Sequence, residues 1–152
     1  MENTIKADIV DEDGNIHHVI VKQRRESGLY YVIEYYSDGS YNTSQDCVTP
    51  DKAIKDHTTS TINANCAQRF EDELSEEEKA RMLSFIHTRF QPGIRGNAKA
   101  YSSYYLKHVV ERGIGKYVSN GQLKGAMKKA EIPIHKTSQP ADINYTYILR
   151  KL

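Results

Sequence analysis

The chain has no tryptophan, only two cysteines and four prolines among 152 residues, and no long apolar run. Each shortage excludes something. Without about 18 consecutive apolar residues, no helix is expected to span a bilayer, so no membrane partner is expected. The opening Met-Glu-Asn-Thr-Ile-Lys-Ala-Asp lacks the apolar core of a signal peptide, which points to an intracellular, cytoplasmic protein. Cys47 and Cys66 form no Cys-x-x-Cys pair, so two reduced thiols are expected rather than a staple or a zinc site.

Recognisable catalytic signatures are absent as well. His17 and His18 are neighbours on a strand and point to opposite sides, so they cannot share an ion. His57, His87, His108 and His135 are scattered, with no His-Glu-x-x-His and no pair of histidines four apart. Gly93-Ile94-Arg95-Gly96 lacks the Lys-Ser/Thr of a phosphate loop, and Gly113-Ile114-Gly115 lacks a dinucleotide-binding context. Glu76-Glu77-Glu78 is explained by the electrostatics of a helix start. No metal or cofactor is expected, and the protein reads as non-enzymatic.

What the chain does have is eleven tyrosines and a charge divided by position. Tyrosine suits a thin core, because its ring is buried while its hydroxyl reaches water or backbone. Residues 1–94 hold ten Lys/Arg against seventeen Asp/Glu, a net charge of −7; residues 95–152 hold eleven against three, a net charge of +8. An acidic front and a basic back suggest a surface for a polyanion.

The predicted fold is α+β. Residues 1–46 read as an antiparallel β-meander: strands Ile5–Val10, Ile16–Arg24 and Leu29–Tyr36, with turns at 11–15, 26–28 and 37–39. Leu29–Tyr36 carries large side chains on both faces and is expected to be central. Thr49-Pro50-Asp51 predicts a helix start with Ala53 and Ile54 facing the sheet, and the polar run 57–65 reads as a loop. Ser75-Glu76-Glu77-Glu78 is a capping box opening a helix that carries Met82, Leu83, Ile86 and Phe90 on one stripe. The predicted organisation is an acidic sheet-and-helix region at 1–92, a glycine-containing connector at 93–100, and a basic region at 101–152.

In the basic region Tyr101–Arg112 reads as a helix with Tyr105, Leu106, Val109 and Val110 inward, entered through Ser102 or Ser103. Ser119-Asn120-Gly121-Gln122 is a second capping box, with Val118 and Leu123 spaced as a hydrophobic staple. It opens a helix over 121–131 whose Leu123, Ala126, Met127 and Ala130 face a core. Ile134–His135, a polar loop over 136–142, and the alternating segment 144–152 then suggest a β-hairpin. Helix, turn, helix and hairpin is the order of a winged helix. That reading sends Asn120, Gln122, Lys124 and Lys128 to nucleic acid, with Lys107, Lys116 and Lys129 on the same basic surface and Lys136 with Ser138 at the wing tip. Asn and Gln suit an adenine edge and Lys suits phosphate or guanine; a phosphate is also expected at the second helix's N-terminus. Glutamate at both Lys124 and Lys128 should then abolish binding without unfolding the chain.

The strings Ser-Ser-Tyr-Tyr-Leu-Lys-His-Val-Val-Glu-Arg and Gly-Lys-Tyr-Val-Ser-Asn-Gly-Gln-Leu-Lys-Gly-Ala-Met, within residues 101–130, resemble a segment of small proteins from phages and mobile elements of Gram-positive bacteria, mostly of unassigned function. The resemblance implies an origin more than an activity, and a bacterial host cytoplasm as location. Two functions are expected from these features. One is binding of DNA or RNA through the basic half. The alternative is an inhibitor of a host defence nuclease, of anti-CRISPR type, that binds the effector ribonucleoprotein directly. A homodimer would suit a reader of two half-sites, although no heptad seam specifies one.

Overall fold

Alternation of side chains builds the first element of the fold. A computed structural model describes residues 4–152, and in it strands β1 (Thr4–Val10), β2 (Ile16–Gln23), β3 (Tyr30–Tyr35) and β4 (Tyr41–Thr43) form an antiparallel sheet in the order β1-β2-β3-β4. Register fixes the faces: Ile5 pairs with Val21, Ala7 with Val19, Ile9 with His17, and Val21 with Val32. Val19, Val21 and Val32 are fully buried on this inner face, and helix α1 (Pro50–His57) adds Ala53 and Ile62 follows it into the same core. Thr49 caps α1, its hydroxyl accepting from Lys52 N–H at 3.1 Å, with Pro50 at the first turn. The polar run after α1 is helical rather than loop. Thr58–Ile62 forms a π-type turn, into which the Thr58 hydroxyl donates to the Ile54 carbonyl at 2.7 Å.

The chain forms two compact units, Met1–Ala64 and Asn65–Leu152. The connector expected at 93–100 therefore lies inside the second unit, and the capped helix expected to close the first region belongs to the basic one. Redrawn at this boundary, the charges are six Lys/Arg against eleven Asp/Glu, a net charge of −5, and fifteen against nine, a net charge of +6.

The second unit runs α2 (Gln68–Glu73), α3 (Glu76–Arg89), β5 (Lys99–Ser102), α4 (Ser103–Ile114), α5 (Asn120–Lys129) and β6 (Thr146–Leu149). Both predicted capping boxes are present, at Ser75/Glu78 and at Ser119/Gln122. Helix α5 ends in a Schellman-type turn: Ile132 N–H reaches the Met127 carbonyl at 3.0 Å, with Glu131 left-handed at φ 60°. Phe70, Met82, Ile86, Leu106, Leu123 and Met127 centre the core. Strand β5 takes Tyr101, which the sequence assigns to a helix, while Ser102, one of the two expected entry residues, caps α4. Tyr105 is exposed and stacks on Tyr101, with ring centroids 5.5 Å apart. Strand β6 pairs with β5, Tyr101 opposite Tyr147. His135 N–H donates to the Thr146 carbonyl at 2.7 Å and closes a hairpin-like excursion over 136–145.

Candidate functional site

Helix α5 was expected to present its polar side chains to a ligand. Residues Asn120 to Met127 are instead buried on every side. The reason is α2, which lies across α5 at Gly125: a Cβ there would meet the Ala67 carbonyl oxygen at 2.3 Å and Phe70 Cβ at 2.4 Å. The glycine at that position permits a close contact between the two helices.

Each polar side chain of α5 has an internal task. Lys124, 4% exposed, directs Nζ to the carbonyls of Asp142 (3.2 Å) and Ile143 (3.0 Å) and lies 4.0 Å from the Tyr145 ring centroid. It ties α5 to the loop before β6 through two charge-assisted bonds and a cation–π contact. Asn120 Nδ2 donates to Asn65 Oδ1 and to the Ile143 carbonyl. Gln122 closes the capping box and donates to Glu73 Oε1 at 3.2 Å. Ser119 and Gln122 cap the helix start from within the chain, and Asn120 is buried beside it. The exchange of Lys124 for Glu is thus a folding variant, because it would set a carboxylate against two carbonyl oxygens.

Lys107 is also interior. Its Nζ donates to Glu111 Oε1 at 2.9 Å and to the Val118 carbonyl at 3.0 Å, 4.9 Å from the Tyr117 ring. Glu111 in turn accepts from Val118 N–H at 3.1 Å and contacts His108 Nδ1 at 3.0 Å. Burial opposes ionisation of Glu111, but these bonds outweigh it and hold its carboxyl below the usual range. The turn between α4 and α5 is fastened by this cluster. Lys116 pairs with Glu78 at the start of α3.

What remains outside is a set of cations with no carboxylate partner among the described residues. Lys128 and Lys129 are exposed in the last turn of α5, where the helix dipole also favours positive charge. Lys136 is exposed at the start of the 136–145 excursion. At the far end of the β5–β6 pair, exposed Arg95, Lys99, Arg150 and Lys151 gather: Lys99 lies opposite Leu149, Arg150 N–H donates to the Gln91 carbonyl, and Lys151 N–H to Asn97 Oδ1. Six of this unit's nine carboxylates fall instead within residues 71–78. Of the eight predicted contact residues, Lys128, Lys129 and Lys136 remain available.

The first unit holds a cluster that pattern reading passes over. Asp11 Oδ2 lies 2.7 Å from His17 Nε2, His17 Nδ1 lies 2.6 Å from Glu34 Oε2, and Glu34 Oε1 lies 2.8 Å from His57 Nε2. The Tyr36 hydroxyl also donates to Glu34 Oε1, at 3.2 Å. All four ionisable residues are buried. An ionised carboxylate only accepts, so a ring between two ionised carboxylates carries protons on both nitrogens, and the arrangement favours the imidazolium form of His17. Burial by itself would depress its pKa, but the bonds and charges of Glu34 and Asp11 prevail and raise it. For Glu34, burial is likewise overcome by the two histidines, and its pKa is lowered. His57 Nδ1 has no hydrogen-bond partner among the described residues. The signal in the sequence is the parity of β2 and β3, which puts His17 and Glu34 on the apolar inner face.

Cys47 is buried in the first unit and Cys66 in the second, with no disulfide between them. No helix among the described residues is long and apolar enough to cross a membrane. Comparison with protein-family models, with curated proteins and with solved structures finds no match.

Proposed function

We propose that the second unit binds nucleic acid, free or within a nucleoprotein, through its exposed basic rim, and that the protein acts by binding rather than by catalysis. The observation that carries this reading is the segregation of charge within one unit. Lys128, Lys129, Lys136, Arg95, Lys99, Arg150 and Lys151 are exposed and lie outside the stretch 71–78 that holds six of the unit's nine carboxylates. Such cations gain from phosphate by releasing its condensed counterions.

The element order supports a winged-helix reading. Helix α3, strand β5, helices α4 and α5, then an excursion leading to a strand that pairs with β5, follow that connectivity. The groove-reading helix of that arrangement corresponds to α5, which α2 covers. The contacts are therefore to phosphates, from the end of α5, the excursion and the sheet end, and the binding favours no particular base sequence.

A second reading has its own observation. Glu71, Asp72, Glu73, Glu76 and Glu77 form an exposed anionic run over α2 and the start of α3, a surface that suits the positive channel of a nucleic-acid-handling effector. Inhibition of a host defence nuclease would use this run as its contact.

Salt titration of duplex binding tests the first reading. Replacing Lys128, Lys129 and Lys136 with Glu is expected to weaken binding steeply and to flatten the log–log salt slope by roughly 2.7. Unchanged affinity and slope would overturn it. Binding by the triple variant to an effector, lost when Glu71, Asp72 and Glu73 become Lys, would favour the second.

A further inference from the structure

The sheet of the first unit has a second face. Strand parity puts Lys6, Asp8 and Val10 of β1, Ile16, His18, Ile20 and Lys22 of β2, Tyr31, Ile33 and Tyr35 of β3, and Tyr41 and Thr43 of β4 on it together. Helix α1 and Ile62 pack on the opposite, inner face. The outer face keeps large side chains in solvent: Tyr35 is 57% exposed and Tyr41 59%, with Val10 and Ile16 also exposed.

Its aromatic groups are ordered by the register. Tyr35 and Tyr41 are directly opposite across β3 and β4, with ring centroids 5.8 Å apart and planes tilted by 51°. The tilt prevents the rings from covering each other. Tyr31 stands on the same strand as Tyr35, about 13 Å away at the rise of a strand. The Arg24 guanidinium lies 4.3 Å from the centre of the Tyr31 ring and is held there by Asp46, whose two oxygens each accept from Nε at 2.9 Å. Lys22 is directly opposite Tyr31, and Lys6 opposite Ile20.

Charge on this face runs against the acidity of the unit. Its one strand carboxylate, Asp8, is engaged by His18 at 2.7 Å, while Lys6 and Lys22 have no carboxylate partner among the described residues. The other carboxylates of the unit's described part lie in turns (Asp11, Glu12, Asp13, Glu26, Asp38), on the inner face (Glu34), beside Arg24 (Asp46), or on α1 (Asp51, Asp56). An open sheet presenting tyrosine rings beside lysines fits a strand of splayed bases, since bases stack on the rings and cations follow the backbone.

We propose that this outer face binds single-stranded nucleic acid, with bases stacked on Tyr35, Tyr41 and Tyr31 and phosphates near Lys6 and Lys22. The residues of this surface are distinct from those of the basic rim of the second unit. The stacking is sequence-tolerant, because every base has a π-face.

The test uses the whole chain and a fluorescein-labelled oligouridine of about eight nucleotides, read by anisotropy. Measurements are made in the background of Lys128, Lys129 and Lys136 replaced by Glu, so that the second unit's rim contributes little. Tyr35→Ala with Tyr41→Ala is expected to weaken binding about tenfold or more. Tyr35→Phe with Tyr41→Phe keeps the rings and is expected to bind within about twofold of the parent. Lys6→Glu with Lys22→Glu should weaken binding and flatten its salt dependence, which supplies a second route if the alanine variant folds poorly. No oligouridine binding by the parent, or alanine and lysine variants that bind as it does, would overturn the proposal. A face that instead mediates self-association, seen as a change of elution volume in the tyrosine variant with no oligonucleotide bound, would also overturn it. Failure of the rim reading leaves this result untouched, because the two surfaces are read by different variants.

Discussion

Both units bury ions, and they solve the problem differently. The first places a carboxylate–imidazole chain, Asp11–His17–Glu34–His57, between its sheet and α1. The second buries Lys107 and Lys124, whose ammonium groups meet backbone carbonyls, and in one case Glu111. In the carboxylate–imidazole chain, against the effect of burial, the His17 pKa is raised and that of the Glu34 carboxyl lowered by their mutual contacts. Stability of the first unit should therefore fall on both sides of a pH optimum, through His17 and Glu34, whereas the lowered Glu111 of the second unit contributes on the acid side alone.

The largest expected effect comes from breaking the chain at its centre. Glu34→Ala leaves the His17 and His57 rings without their shared acceptor and is expected to destabilise the first unit by about 3–5 kcal/mol. Hydrogen exchange at the β2 amides of Val19 and Val21 reads that loss, while the amides of α5 should keep their protection. Equal loss in both units would erase the contrast drawn here.

The pH dependence sharpens it. His17 is raised, so its contribution is fully present below its unfolded value and is lost as pH rises through the higher folded value. Glu34 is lowered, so its contribution is present above its unfolded value and is lost as pH falls through the lower folded one. Protection of Val19 and Val21 should thus peak between the two and decline on both sides. A profile flat from acid to alkaline pH would mean that the chain is not ionised as described.

In the second unit, Gly125→Ala is expected to cost about 2–3 kcal/mol, because the new methyl group meets backbone of α2 and the overpacked contact must open. Chemical denaturation measures this. Lys124→Met should cost about 1–3 kcal/mol, through the carbonyls of Asp142 and Ile143 left without a donor. If the methionine variant were neutral, the lysine would not be the fastener of the loop before β6. Ser119→Ala, which removes the α5 cap, should cost about 1 kcal/mol.

Local signals in the sequence were legible and distant ones were not. Thr49, Ser75 and Ser119 each reveal a helix start within four residues, and all three caps are formed. The meander was equally readable, because its hairpins join neighbours. Strand β5 was not: four residues long, its partner β6 lies more than forty residues away. The unit boundary was hidden because the change of charge at 93–100 marks where the acids of 71–78 end, not where packing ends. Helix α5 carries polar side chains that look like a recognition face. The tertiary position of α2 turns Gln122 inward and the loop before β6 does the same for Lys124 and Asn120, and nothing within α5 encodes either. The same holds for His17, Glu34 and His57, which are unrelated in sequence and meet through register and the return of α1.

The central claim is that nucleic acid meets the rim of the second unit and not its helix face. Titrating the isotopically labelled full chain with a short DNA duplex and following amide shifts tests it most directly. The account predicts changes at Arg95–Lys99, Lys128–Lys136 and Arg150–Lys151, with Leu123–Met127 unmoved. Shifts running through Gln122–Met127, with α2 released, or no shifts at all at low salt, would contradict it.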